Sequence, residues 1–318
     1  MKAVIQDHYG PSGAVTVGDL PEPVPADGEI LIRVRAVSLN GSDREHLLGR
    51  PRCTGMTGLR RPRRSVPGSD VAGVVAVVGP AVTEFAPGDE VFGELSGYRG
   101  ALAEYATTPP RLLVRKPADL SFPEAAAIPQ ACRIALKATR GLRPGDRVLV
   151  NGAGGAAGAS VIGMAKHLGA TVAAVDRADK TDHLRRIGAD AAIAFEYQDW
   201  ADHRDRYDRV VDLLGRRSPY RVHRALRAGG TYLMVGGHTR LLLATLLAGP
   251  SIRLATGKRV KVLPAPHSRA DLEAATALVA EGVAVPAVDR LYPLEEAPEA
   301  FERLAAGDNQ GKIVIEVL

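Results

Sequence analysis

The 318-residue sequence predicts an α/β protein with two kinds of domain, a β-rich first part and a doubly wound parallel sheet. Three observations predict it. Residues Arg147 to Asp176, RVLVNGAGGAAGASVIGMAKHLGATVAAVD, read as strand, glycine turn, helix, strand and acid. Strand-like runs then recur at Ala191 to Phe195, Val210 to Leu214 and Thr231 to Val235, separated by segments with helical spacing. The residues before 118 lack that alternation and show short strands between Gly/Pro turns.

In the first part, Ile30, Ile32, Val34 and Ala36 alternate with Leu31, Arg33, Arg35 and Val37, the period-two signature of a half-buried strand. Val71 to Val78 is denser in β-branched residues and carries Gly73 where a bulge or close packing belongs. Pro87, Gly88 and Asp89 turn the chain into Val91 and Phe92, and Ala101 to Ala106 reads as another short strand. At Ser121 the period changes. Ser121 and Glu124 bracket Phe122 and Pro123 as a capping box, opening an alanine-rich helix that breaks at Pro129. Val148 to Val150 is a buried strand, Val161, Ala165 and Leu168 share a helix face, Gly169 stops that helix, and Val172 to Val175 is a second strand. The segment 238 to 260 is expected as loop. After Pro264 and Pro266, Asp271 to Ala280 reads as a helix, and Lys312 to Val317 closes the chain as a strand returning to the first domain. The division is 1–118, 119–263 and 264–318.

The glycine unit has the physical makings of a dinucleotide site. Glycines let the backbone approach a pyrophosphate, a helix N-terminus offers N–H groups and a positive dipole, and a terminal acid meets a ribose diol. The form present is AxGxxG, with Ala153, Gly155 and Gly158 in the key places and Gly154, Ala156 and Ala157 between them. Asp176 supplies the acid. A carboxylate there accepts from both ribose hydroxyls and repels a 2′-phosphate, which favours NADH. Arg177 and Lys180 follow at once and are suited to bind such a phosphate, so NADPH stays open. The bland alternative for Asp176 is the N-cap of the following helix.

Composition excludes several classes. No apolar run approaches the roughly 18 residues of a membrane span. The first residues lack the apolar core of a secretion signal and nothing at the end suggests an anchor, so a cytoplasmic location is expected. Cys53 and Cys132 are too few for a disulfide framework or a four-cysteine zinc lobe. The formal charge is +5, and the run Arg60, Arg61, Arg63, Arg64 comes without a helix-turn-helix or interleaved aromatics. It reads as a solvated loop, or one meeting an anionic cofactor or substrate, and no nucleic-acid partner is expected.

Eight ordered motifs carry a resemblance: MKAVIQDHYG at the start, LNGSD at 39–43, PGSDVAGVVAVVG at 67–79, PGDEVFG at 87–93, GALAEYA at 100–106, the glycine unit, IGAD at 187–190 and GKIVI at 311–315. In them the chain resembles the medium-chain dehydrogenase/reductase superfamily, in its zinc-free quinone-oxidoreductase-like branch. The resemblance implies a GroES-like catalytic domain joined to a Rossmann cofactor domain, an NAD(P)H cofactor, hydride transfer in the cleft between them, a small-molecule substrate and a homodimer. Zinc-dependent relatives place a Cys where this chain has Asn40 and a His where it has Ser69, so no metal is expected.

Without a metal, the best-fitting chemistry is hydride addition to the β-carbon of an enone or to a quinone, with charge growing on a carbonyl oxygen that needs a donor. Asn40 and Ser42 of LNGSD are the candidate donors, and His46 and Tyr98 the candidate proton relays. Each has an ordinary alternative: Asn40 as a turn residue, Ser42 and Asp43 as a helix cap, His46 and Tyr98 as surface groups. Expected cofactor contacts extend to Phe195, Gly236, Gly237 and Lys312.

The chain also departs from the branch. Ile134, flanked by Gln130, Cys132 and Arg133, stands where zinc-free relatives often carry Thr beside the nicotinamide, and Phe195 stands where NADPH users commonly have Tyr. A secondary alcohol or ketone oxidoreductase, and a family member without redox turnover, therefore remain alternatives.

Overall fold

The computed structural model describes residues 1–50, 61–62, 65–95, 100–284 and 286–318. The chain opens with strands β1 (Lys2–Gln6), β2 (Val15–Asp19) and β3 (Ile30–Ser38), helix α1 (Gly41–Leu47), strands β4 (Asp70–Val78), β5 (Glu90–Glu94), β6 (Tyr105–Thr108) and β7 (Leu113–Arg115), and helices α2 (Phe122–Ala127) and α3 (Pro129–Thr139). The middle alternates: β8 (Arg147–Asn151), α4 (Ala156–His167), β9 (Thr171–Asp176), α5 (Thr181–Arg186), β10 (Ala191–Ala194), β11 (Tyr207–Asp212), α6 (Pro219–Val222), β12 (Leu226–Met234), α7 (Thr239–Thr256) and β13 (Arg259–Val262). Helix α8 (Arg269–Ala280), strand β14 (Val288–Pro293), helix α9 (Ala297–Ala306) and strand β15 (Lys312–Glu316) complete it. Two compact units result: Met1–Gln130 with His267–Ala274 and Ala287–Leu318, and Ala131–Pro266 with Ala275–Pro286.

The first unit is the GroES-like one. Its main sheet has the order β14-β15-β3-β4-β5-β7, with β6 pairing β3 in addition. The alternation at 30–37 predicts a half-buried strand; on the alternate face Arg33 is exposed and Arg35 half-buried, but Leu31 and Val37 are buried like Ile30 and Ile32. Helix α2 packs on β3, covering a face the alternation would leave to water. Ser121 caps α2 as predicted, its N–H donating to Glu124 Oε2 at 2.8 Å. Gly73 pairs with Val34 where the β3–β4 register shifts, and a Cβ there would lie 2.3 Å from the Arg33 carbonyl oxygen. The strand expected at Ala101 to Ala106 begins only at Tyr105, because Ala101 N–H turns to the Gly68 carbonyl and the Leu102 carbonyl accepts from Val4.

The second unit holds a 6-stranded parallel sheet of order β10-β9-β8-β11-β12-β13. The chain runs outward from β8 through β9 to β10, then restarts beside β8 at β11, so the strand order reverses between β8 and β11. The strand read at Val210 to Leu214 begins earlier and stops at Asp212, where Leu213 N–H bonds the Asn151 carbonyl and the chain leaves the sheet. Val161 and Ala165 of α4 are buried as expected, but Leu168 is the C-cap and 37% exposed, since Gly169 at φ +78° already turns the chain away. Residues 238 to 260, expected as loop, are mostly helix α7, which packs on β13. No helix among the described residues is long and apolar enough to cross a membrane.

Gly73→Ala is expected to destabilise the protein by about 2 kcal/mol or more, since backbone must shift to admit the methyl group. Gly13→Ala, where an added Cβ meets nothing within 4 Å, is the control and should change stability by less than about 0.5 kcal/mol. Urea midpoints measure both, and equal midpoints would contradict the close approach at Gly73.

Candidate active site

The candidate dinucleotide cradle is made of backbone. Gly152 follows β8 with φ +81°, a conformation that suits glycine, and Gly155 is the extended N-cap of α4. No side chain caps that helix and no acid lies in its first turn, so its N–H groups and dipole are presented to an anion. A Cβ on Gly158 would come within 2.4 Å of the Ala153 carbonyl oxygen, so this glycine lets α4 lie against the end of β8. Gly152, Gly155 and Gly158 are thus the positions at which the geometry of the turn favours glycine. Ala153, expected first in the motif, is buried with its N–H donating to the Val175 carbonyl at 3.1 Å, and Gly152, not among the expected residues, stands directly after the strand. Ala156 and Ala157 are the first residues of α4, where alanine is at home. These residues fit a pyrophosphate.

Asp176 is not a helix cap. Its Oδ2 accepts from Gly154 N–H at 2.7 Å and its Oδ1 from Arg177 N–H at 2.9 Å, tying the end of β9 to the glycine turn. Lys180 is buried beside it, and a Cβ on Gly154 would meet Lys180 Cδ at 2.7 Å. Arg177 Nε donates to Asp179 at 3.1 Å, and that guanidinium holds the Asp179 carboxyl below its ordinary range. Phe195 N–H donates to the Asp176 carbonyl, and its ring is 41% exposed. Gly236 and Gly237 follow β12 and pack on Gly215, whose added Cβ would lie 2.0 Å from the Gly236 carbonyl oxygen. Arg133 on α3, 3% exposed, donates to the Pro266 carbonyl at 2.8 Å and so holds the segment after β13.

The first unit contains a buried polar cluster. Asn40, the N-cap of α1, donates from Nδ2 to Asp70 Oδ2 at 3.0 Å, and its Oδ1 accepts from the Lys312 ammonium. Lys312 Nζ also donates to Ser38 Oγ at 2.9 Å and Asp70 Oδ2 at 3.1 Å. Gln130 donates from its backbone N–H to Asp70 and from Nε2 to Glu94 Oε1 at 3.1 Å, and its Oε1 accepts from the Ser42 hydroxyl at 3.0 Å. Thus Asn40 and Lys312 meet here, both within the first unit, whereas the glycine turn belongs to the second. Asp43, the third residue of α1, completes the capping box, its Oδ2 accepting from Asn40 N–H at 2.7 Å. Burial, and then the charge of Asp70, push the Asp43 carboxyl up to about 8, against the pull of that bond and of Lys312.

His46, expected at the surface in its ordinary reading, is buried, and its Nδ1 pairs with the Ser42 carbonyl at 2.6 Å one helical turn back. Tyr98 lies outside the described residues. Asn40 and Ser69 stand in place of the metal ligands of zinc relatives. Both ends of the Asn40 carboxamide are committed and an ammonium sits against it, a donor set that opposes a cation. No group of His, Cys, Asp and Glu among the described residues is arranged to hold a metal ion.

Comparison with known proteins agrees with this architecture. The family model described as "Alcohol dehydrogenase GroES-like domain" matches residues 26–118, and that described as "Zinc-binding dehydrogenase" matches 187–315. The chain is 31% identical over 332 residues to the 2-methylene-furan-3-one reductase of Solanum lycopersicum, covering 99% of this chain and 79% of that protein. It is 31% identical to the NADPH-dependent alkenal/one oxidoreductase, chloroplastic, of Arabidopsis thaliana, with coverage of 99% and 79%. Among solved structures, the quinone oxidoreductase from Coxiella burnetii superposes with a TM-score of 0.87 at 28% identity, covering 100% of this chain and 99% of that one. A parallel sheet with a glycine turn, a GroES-like unit and relatives of this kind aligned over 99% of the chain lead to one assignment: the chain belongs to the medium-chain dehydrogenase/reductase superfamily, in its quinone-oxidoreductase-like branch.

Proposed function

We propose that this protein is a zinc-independent reductase that uses a nicotinamide dinucleotide to reduce a quinone or a double bond conjugated to a carbonyl in a small molecule. The observation that carries the metal-free part is the Asn40 carboxamide closed at both ends by Lys312 and Asp70. The substrate class follows the relatives, named for a methylene-furanone, alkenals and enones, and quinones.

When bound, the reduced nicotinamide supplies a hydride. The chain's own residues do the rest. The N-terminus of α4 and the glycine turn seat the pyrophosphate, and Asp176, with lone pairs left on both oxygens, accepts from the adenosine ribose. Hydride addition leaves negative charge on the substrate oxygen, which needs a hydrogen-bond donor. Asn40 serves by holding the cluster, because its amide hydrogens face Asp70. Ser42 is half-buried, the most accessible hydroxyl of the cluster, and rotates its O–H from Gln130 to the substrate oxygen. His46 keeps the Ser42 carbonyl, and thereby the first turns of α1, in place.

Three features support NADH as the preferred donor: the Asp176 carboxylate, the turning of Arg177 to Asp179, and the burial of Lys180. A homodimer fits the open edge of β13 and the α7 leucines beside it, Leu243, Leu246, Leu247 and Leu254, which are 54%, 57%, 80% and 91% exposed.

Steady-state oxidation of NADH and NADPH with a panel of enones and quinones tests the reaction; binding of dinucleotide with no turnover on any member would overturn it. Asp176→Ser should move the ratio of kcat/KM values about tenfold toward NADPH, equivalent to about 1.4 kcal/mol, and an unmoved ratio would contradict the role given to the carboxylate. Asp43 yields a pH prediction. Its carboxyl ionises near 3.8 unfolded and near 8 folded, so its contribution to stability is full below the lower value and is lost as pH rises to the higher one. Asp43→Asn, a neutral isostere, should flatten the fall in urea midpoint between about pH 5 and pH 8. A slope equal to that of the unaltered protein would show that Asp43 does not carry the proton.

A further inference from the structure

We infer that Asp212 is a positioning residue for the dinucleotide, anchoring three backbone turns at the point where the order of the parallel strands reverses. This rests on the reading that the second unit binds a nicotinamide dinucleotide.

Asp212 ends β11 and is fully buried. In the register of the sheet it stands between Asn151, the last residue of β8, and Met234, the last residue of β12. In open α/β sheets ligands bind outside the carboxyl ends of the strands at such a reversal. The carboxylate gathers donors from all three strands or their turns. Oδ1 accepts from Asn151 Nδ2 at 2.7 Å, Leu214 N–H at 3.0 Å and Gly215 N–H at 2.9 Å, and Oδ2 accepts from the Tyr232 hydroxyl at 2.8 Å. Converging N–H donors require an acceptor oxygen, and a buried N–H left without one is costly.

The turns held this way touch one another, through the Leu214 side chain at Gly152 and through backbone at Gly215 and Gly237. A Cβ on Gly152, after β8, would lie 2.9 Å from Leu214 Cγ, after β11. A Cβ on Gly237, after β12, would lie 2.6 Å from the Gly215 carbonyl oxygen. With the turns packed this closely, displacement of the Leu214–Gly215 turn presses through the Leu214 side chain on Gly152 and through backbone on Gly236–Gly237. Asp176 at the end of β9 marks the adenosine side, so the turns after β11 and β12 lie on the side of the nicotinamide half.

The test measures affinity by calorimetry, for NADH or NADPH, whichever binds the unaltered protein, and for ADP, which lacks the nicotinamide half. Asp212→Ala should weaken the dinucleotide at least about tenfold while changing ADP by less than about twofold. Asp212→Asn should retain affinity within about threefold, since an amide oxygen still faces the three N–H donors and its NH2 can donate to the Tyr232 oxygen. Tyr232→Phe, which removes a single donor, should weaken the dinucleotide about threefold and decides the matter if Asp212→Ala does not fold. Dinucleotide affinity unchanged in Asp212→Ala and Tyr232→Phe, or ADP weakened in parallel with the dinucleotide, would overturn the inference. An unaltered protein that binds neither dinucleotide would instead overturn the functional reading beneath it.

Discussion

The contact on which the catalytic unit depends is the ammonium of Lys312, 3% exposed, held by Asp70, Asn40 and Ser38. An ion pair out of water survives only when each charge is met by good partners, and removing one partner typically costs about 3–5 kcal/mol. Here the partners come from the start of β15, the start of β4, the end of β3 and the cap of α1. The ion pair therefore fixes how the strands meet and, in the proposed function, what the site can do. It orients Asn40, leaves that carboxamide no free end, and sets a positive charge beside it. Gln130 carries the network from Asp70 and Glu94 to Ser42, so those carboxylates orient the Ser42 hydroxyl through the Gln130 carboxamide.

The cofactor unit solves the opposite problem. Its ligand is a flexible polyanion, and the unit offers it backbone. Gly152, Gly155 and Gly158 bring β8 and α4 together, and Asp176 ties the turn to β9. Asp212 does for β8, β11 and β12 what Lys312 does for the other sheet, gathering strand ends around a buried charged group. In both units the ionisable residue sits where strands end, which is where position matters most to a ligand.

What was legible in the sequence was local. The strand, glycine turn, helix and acid unit occupies one short stretch whose parts touch each other, and the Ser121 capping box and the Gly73 close approach declare themselves within a few residues. The polar cluster was hidden because its partners are remote in the chain: Lys312 and Asp70 are 242 residues apart. Nothing near Lys312 announces that its ammonium is internal, and the short strand around it carries no charge pattern. Asp212 was passed over because a strand with apolar neighbours on both sides read through it to Leu214. His46 followed the same logic in reverse, since a histidine among charged residues reads as surface until α1 is seen to turn it inward.

The central claim is that the chain's own lysine and carboxylates complete the site and leave no place for a catalytic metal. Zinc content measured together with turnover tests it most directly. The account predicts substoichiometric zinc in the purified protein and an unchanged rate of enone or quinone reduction after exhaustive chelation. Stoichiometric zinc, with activity lost on its removal and restored on its return, would contradict it.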